Sequence, residues 1–388
     1  MLAKRKKNMF MSFRGDPKDI QCVAEEIELN VRRGLARLKS DNQREDSTTQ
    51  IARQFCDVAI EEMTSIDISK DFRAHYRTHE WRMRNVIYTK KVWKAICGNA
   101  HLFKDKIVLD VSCDMGILSM FSAIAGAKHV YAIDTSNIVQ LTRRVIADNN
   151  LSHKITVIKG RVAGITLPVA KVDIIVSTFF GQSLFCENRL DELIDARNKW
   201  LEPNGLMFPD QCNYYIAAIN NSMLNDRSNF WQHVYKFDMR PMIRAVNSEP
   251  YLQYVQIEQV VTNACPIKHI NMYTVEKRDY KQFDVPFCLE CGFNANIGGF
   301  FTYFDVQFTE GLHPITFTIQ PGWKTTNWCH LVFYLSINDF IIDKDETFYG
   351  GFRFNALSDD YRKIDWNIEI MHQGNHCTFR EDWHFKTR

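Results

Sequence analysis

The chain has almost no charge in excess. Its 388 residues carry 48 Lys+Arg against 46 Asp+Glu, a formal net charge of +2. A protein wrapped along nucleic acid would carry a large basic surplus, so direct nucleic-acid coating is excluded. No apolar run approaches the roughly 18 residues of a membrane span. The start, MLAKRKKNMFMSF, is basic but lacks the apolar core of a secretory signal. The motifs GxxxxGK[ST], HExxH and GxSxG are missing, which removes the central residues of NTPases, zincins and α/β-hydrolases. Eleven cysteines are present, an odd number without regular spacing. That fits a reduced cytoplasmic or nuclear compartment better than a disulfide framework. The CxxC at Cys288–Cys291 has no second pair or histidines at ligand spacing, so buried strand thiols are expected there and no metal.

What is present is apolar and aromatic, at 45% and 13%. This is enough for sizeable cores in two or three domains and too much for a disordered chain. Residues 1–54 hold 12 Lys/Arg and 8 Asp/Glu. Within them Ile20, Val23, Ile27, Val31, Leu35 and Leu38 recur at helical spacing, and the polar stretch 40–50 reads as a linker. A solvated terminus explains this basic patch most simply; an import signal or an acidic partner is the functional alternative.

From residue 107 the texture alternates. IVLDVS (107–112), HVYAID (129–134), ITVI (155–158) and VDIIVS (172–177) read as buried strands. ILSMFSAIA (117–125) and NIVQLTRRVIADNN (137–150) read as helices between them. Such alternation predicts a parallel, doubly wound α/β sheet with ligands at the carboxyl strand ends. Asp134, ending the second strand, suits the two hydroxyls of a ribose, and Asp110, ending the first, could meet a ligand amine. Cys113 beside them is the one candidate reactive thiol. After PNGLMFPD (203–210) the chain turns to short aromatic and β-branched runs, predicting an antiparallel sandwich or barrel. SNFWQHVYKFDM (228–239) within it reads as helical.

FKDKIVLDV, GILSMF, the strand end at Asp134, VDIIVS with LFCENRL, KWLEPNGLMFPD, VTNACPIK and NWCHLVFY together resemble the protein arginine N-methyltransferases, nearest the type I enzymes. The resemblance is colinear from about Asp71 to the C-terminus. It implies a Rossmann-like S-adenosyl-L-methionine domain, expected over 55–209 with lid helices, and then a β-barrel domain over 210–388. It also implies a helical dimerisation arm near 222–246, giving a homodimer or a heterodimer with a relative. The implied activity is methyl transfer to arginine in arginine-rich proteins such as histones.

The same resemblance identifies site residues. Glu187 matches the second glutamate of the substrate hairpin 177–188, and Thr178 stands at the first. A threonine accepts a hydrogen bond but cannot neutralise a guanidinium, which stays charged at physiological pH. Trp328 forms the substrate wall, and Asn327 replaces the histidine of a Thr-His-Trp loop. On the cofactor side the resemblance assigns Asp110, Gly116, Asp134 and His75. Ser112 and Asp114 stand where the family has glycines, Tyr88 where it has a carboxylate-clamping arginine, and Ala163 where a glutamate reads adenine. In the lid, Ser69 and Arg73 take the places of two tyrosines, with Phe72 and Tyr76 nearby and His79 matching beside His75. Two readings follow. One is an arginine methyltransferase with an eroded site and weak or absent activity. The alternative is an inactive scaffold that dimerises or binds arginine-rich segments.

Overall fold

The computed structural model describes residues 75–186, 189–323, 326–335, 340–356 and 363–387. The basic extension, the lid positions Ser69, Phe72 and Arg73, and Glu187 lie outside these residues.

Five strands form the first sheet: β1 Ile107–Val111, β2 His129–Asp134, β3 Ile155–Lys159, β4 Val172–Ser177 and β5 Leu201–Phe208. They pair in the order β3-β2-β1-β4-β5, and every pair is parallel. Both faces are covered, so β1 is a continuous buried run rather than an alternating one. The order reverses between β1 and β4, which opens a crevice at their carboxyl ends.

The helices are α1 Tyr76–Met83, α2 Val86–Ile96, α3 Ala100–Phe103, α4 Ile117–Ile124, α5 Val139–Asp148, α6 Leu190–Trp200, α7 Ser222–Gln232, α8 Pro241–Asn247 and α9 Lys277–Lys281. On α6 the buried residues Leu190, Leu193, Ile194, Arg197 and Trp200 follow helical spacing. Asp191 and Glu192 lie in its first turn and Arg197 and Lys199 in its last, matching the helix dipole. Arg197 Nη1 donates to the carbonyls of Met272 and Val275 at 2.9 and 2.8 Å, tying α6 to the β region. No described helix is long and apolar enough to cross a membrane.

The antiparallel part contains β6 Gln211–Asn220, β7 Tyr251–Gln253, β8 Cys265–Asn271, β9 Gln282–Glu290, β10 Ala295–Phe308, β11 Ile315–Thr318, β12 His330–Tyr334, β13 Ile341–Ile342, β14 Thr347–Asn355, β15 Asp365–Gln373 and β16 Thr378–Lys386. One sheet runs β7-β12-β10-β6-β8 with β11 and β13 on β10, and the second runs β16-β15-β14-β9. Phe300, Phe333, Phe352 and Trp366 are fully buried where they meet: Phe300 lies 5.8 Å from Phe348, and Phe333 lies 6.1 Å from Phe352 and 5.9 Å from Trp366.

Two expectations need correction. The stretch 228–239 is only half helical: α7 starts at Ser222 and stops at Gln232. A tight turn follows, in which Val234 pairs with Phe237, and Tyr235 and Lys236 have positive φ. The CxxC thiols are not both buried. Cys291 is buried but Cys288 is exposed, because β9 alternates and Cys288 faces away from its buried neighbours Phe287 and Leu289.

Candidate functional site

The loop from β1 to α4 begins the site. Ser112, Asp114 and Gly116 have φ of 64°, 48° and 79°. These are the positions where the resemblance places glycines. The backbone is left-handed at all three positions although two of them carry side chains, at some cost in strain. At Gly116 a Cβ would lie 3.0 Å from Thr142 Cγ2, so this glycine is also needed for packing. Thr142 Oγ1 donates to the Asp114 carbonyl at 2.7 Å and fixes the loop against α5.

Asp110 and Asp134 end their strands as expected, and both are buried. Burial pushes the Asp110 carboxyl up to about 7; the Ser119 hydroxyl, donating at 2.6 Å, opposes this, and Asp114 and Asp134 add to it. Asp134 accepts three hydrogen bonds. Its Oδ1 accepts from Ser136 N at 2.8 Å, and its Oδ2 from Asp114 N at 3.1 Å and Arg189 Nη1 at 2.9 Å. Asp114 meets Arg82 Nη1 at 2.6 Å and lies 3.8 Å from Arg189 Nη2. Burial pulls the Arg189 guanidinium down, and the charges of Asp134 and Asp114 more than offset it, so its proton is held more firmly than usual.

Cys113 is not a reactive thiol. It is buried, and both that burial and the negative charges of Asp110, Asp134 and Asp114 push its pKa well above the usual range.

The side where the resemblance places the substrate is built by α2, the hairpin after β4, and the 326–329 loop. Asn85 caps α2 and accepts from Tyr88 N at 3.3 Å, placing Tyr88 in the first turn. Its phenol lies 2.7 Å from Thr178 Oγ1. Burial pushes the Tyr88 phenol up, so it stays protonated. Tyr88, Phe180, Phe317 and Trp328 form one ring cluster: Tyr88 lies 5.4, 5.1 and 5.3 Å from the other three, and Phe180 lies 5.0 Å from Trp328. Gln182 latches the hairpin to the neighbouring loop. Its amide donates to Asn327 O at 3.3 Å and accepts from Cys329 N at 3.1 Å. Ser183 and Tyr214 hydroxyls, 2.7 Å apart, seat the hairpin on β6.

His75 precedes α1, and its Nε2 is buried without a hydrogen-bond partner among the described residues. Ala163 lies on a short 3-10 turn after β3. Tyr76, at the start of α1, is nearly half exposed. No group of three or more His, Cys, Asp or Glu able to hold a metal occurs among the described residues. Sequence reading missed Arg82 and Arg189. The signal was Asp114 itself: a second carboxylate beside buried Asp134 requires a cation, and Arg189 stands two positions after Glu187.

Residues 210–375 match the family model described as the arginine methyltransferase oligomerization subdomain. Residues 98–208 match that of the ribosomal protein L11 methyltransferase. The chain is 38% identical over 330 residues to protein arginine N-methyltransferase 8-B of Danio rerio, covering 84% of this chain and 78% of the relative. It is 36% identical to protein arginine N-methyltransferase 1 of Chlamydomonas reinhardtii, over 84% and 94% of the two chains. Among solved structures, it is similar to a chain of the Trypanosoma brucei PRMT1 enzyme–prozyme heterotetrameric complex with AdoHcy, at TM-score 0.78 and 31% identity, over 82% of this chain and 100% of that one. Arabidopsis thaliana protein arginine methyltransferase 10 shares the fold, at TM-score 0.70 and 24% identity over 82% and 99%.

Proposed function

The chain belongs to the protein arginine N-methyltransferases, whose cofactor is S-adenosylmethionine, and we propose that it is a non-catalytic member acting as a subunit beside an active relative. The observation that carries this reading is the substrate side. A protonated guanidinium needs carboxylates that hold it in plane and draw charge from the attacking nitrogen. Thr178 stands at one of the two positions, and its hydroxyl is engaged by the Tyr88 phenol. The rings of Trp328 and Phe180 leave no gap for a guanidinium between them either. A guanidinium sandwiched between aromatic faces needs rings about 7 Å apart, twice the usual contact distance of about 3.5 Å. Trp328 and Phe180 are 5.0 Å apart. When bound, S-adenosylmethionine supplies the electrophilic methyl group; Thr178, Tyr88 and Trp328 hold no carboxylate that would neutralise an arginine and aim it at that group.

The subunit role draws support from the arm. α7, the 233–240 turn and α8 expose Phe230, Tyr235, Phe237 and Met242, with Tyr235 75% and Phe237 71% accessible. Contiguous apolar exposure of this kind marks association surfaces. The Trypanosoma brucei complex pairs an enzyme with a prozyme, which supports a partner that is an active relative rather than a second copy. Nine described cysteines, all unbridged, support a cytoplasmic or nuclear compartment. Glu187 would still offer a carboxylate to an arginine-rich segment, so binding without transfer is the second reading we retain.

The test uses the full chain, alone and mixed with an active relative, with radiolabelled S-adenosylmethionine and arginine-rich peptides. We expect no incorporation alone and a mixed oligomer by light scattering. Incorporation by the chain alone that disappears in Glu187→Gln overturns the reading.

A further inference from the structure

Among the described residues, the charges around Asp134 meet one another. Arg82 on α1 meets Asp114, and Arg189 before α6 meets Asp134 and lies 3.8 Å from Asp114. An ionised carboxylate offers about four acceptor directions. On Asp134, Oδ2 has both of its directions filled, by Asp114 N and Arg189 Nη1, and Oδ1 has one filled, by Ser136 N. The pair of acceptances that two adjacent ribose hydroxyls require is therefore not available. Nor is the carboxylate reachable: the Asp134 side chain is 0% exposed, beneath Arg189 at 10%.

Asp114 makes the arrangement self-consistent. Its carboxylate adds a like charge beside Asp134, which an unoccupied pocket could not hold. Arg82 and Arg189 supply two positive charges against these two negative ones. The methionine carboxylate of a bound cofactor would compete with Asp114 for Arg82. The residues present therefore do not fit the family's cofactor.

We propose that Arg189, assisted by Arg82, is a built-in ligand of this cleft: its guanidinium takes the place on Asp134 that a ribose takes in a cofactor-bound methyltransferase, so the chain folds as a complete unit without a nucleoside. This extends the non-catalytic reading to the cofactor side and rests on it. Arg189 is a positioning residue here, closing the loop between β1 and α4 onto β2. Asp114 is its counterpart: the carboxylate at a left-handed position that ordinarily suits glycine is what makes two arginines necessary.

The experiment is calorimetric titration of the full chain with S-adenosylhomocysteine, paired with thermal unfolding in its presence and absence. The wild-type chain is expected to give no heat at millimolar ligand and no shift in melting temperature. Arg189→Met frees Asp134, and binding is expected to tighten at least about tenfold, with a ligand-dependent rise in melting temperature. Because that change leaves two carboxylates with one arginine and could prevent folding, Arg189→Met/Asp114→Gly is made alongside it. The double variant removes the surplus carboxylate and returns glycine to a left-handed position, and it is expected to fold by circular dichroism and bind. Micromolar binding by the wild-type chain, or a folded double variant with no gain, overturns the proposal. Methyl transfer by the wild-type chain is the separate result that overturns the previous reading; failure of the double variant to gain binding leaves that reading standing.

Discussion

Replacing Asp110 by Asn should stabilise the protein at neutral pH and leave it unchanged, or slightly less stable, in mild acid. The Asp110 carboxyl is pushed from its ordinary 3.8 up to about 7, first by burial at the end of β1, with Ser119 opposing and Asp114 and Asp134 adding. Between those two values the native chain keeps a proton that the unfolded chain has released. The unfolded state then binds fewer protons, so stability falls as pH rises through this window. A shift of roughly three units at about 1.4 kcal/mol each makes the full cost of the order of 4 kcal/mol by pH 7–8. Asn cannot titrate, and its amide oxygen keeps the acceptor that Ser119 Oγ uses at 2.6 Å. The assay is calorimetric melting of both proteins in steps from pH 4.5 to 8. At this size a gain of that order corresponds to roughly 5–10 °C in melting temperature. The wild-type curve should drop relative to the variant from about pH 5 upward, most steeply between about pH 5 and 6, and level off as pH passes about 7, where the native carboxyl itself ionises. Parallel curves across that range would show that Asp110 is ionised throughout in the native protein, and the electrostatic account of the β1 end would fail with them.

Other expectations follow from the same geometry. Thr178→Glu alone should restore no robust methyl transfer in the radiolabel assay, because a carboxylate beside the buried Tyr88 phenol costs about 1–3 kcal/mol to bury and the cofactor side stays filled. Strong incorporation by that single variant would refute the account of the β1–α4 loop. Trp328→Ala empties a cluster in which three rings lie 5.0–5.4 Å from the indole, and should cost about 3–5 kcal/mol, read as a lower melting temperature. A loss below about 1 kcal/mol would mean the cluster is not packed as described. Alkylation of the native protein at pH 8 should label exposed Cys288 and spare Cys113, as mass spectrometry of peptides would show; rapid labelling of Cys113 contradicts its burial.

Much of the architecture was legible before any coordinates. The runs IVLDVS, HVYAID and VDIIVS are continuous and β-branched, so a parallel buried sheet was the only economical way to use them, and β1, β2 and β4 fall on them almost residue for residue. The arm was harder. SNFWQHVYKFDM is apolar enough to suggest a helix, but its hydrophobics do not all face a core, and the chain breaks into a turn at Tyr235 and Lys236. Cys288 was misread for a related reason: strand alternation decides which face a residue takes, and a one-residue difference in phase exchanges inside for outside.

The sequence alone determined the family and the order of elements in the parallel sheet, and its resemblance pointed to Thr178, Asn327, Tyr88, Ser112 and Asp114 as departures from the family pattern. It also fixed Asp110 and Asp134 at strand ends. Only the tertiary structure decided what the losses add up to. Arg82, Asp114, Asp134 and Arg189 are separated by 32, 20 and 55 residues along the chain and meet through side chains from four elements. Pairing between charges so far apart is set by how the helices and the sheet converge, and no local pattern of residues encodes it. The negative charge at Asp114, read locally as a repulsive defect, is in three dimensions the ion-pair partner of Arg82 and lies 3.8 Å from Arg189.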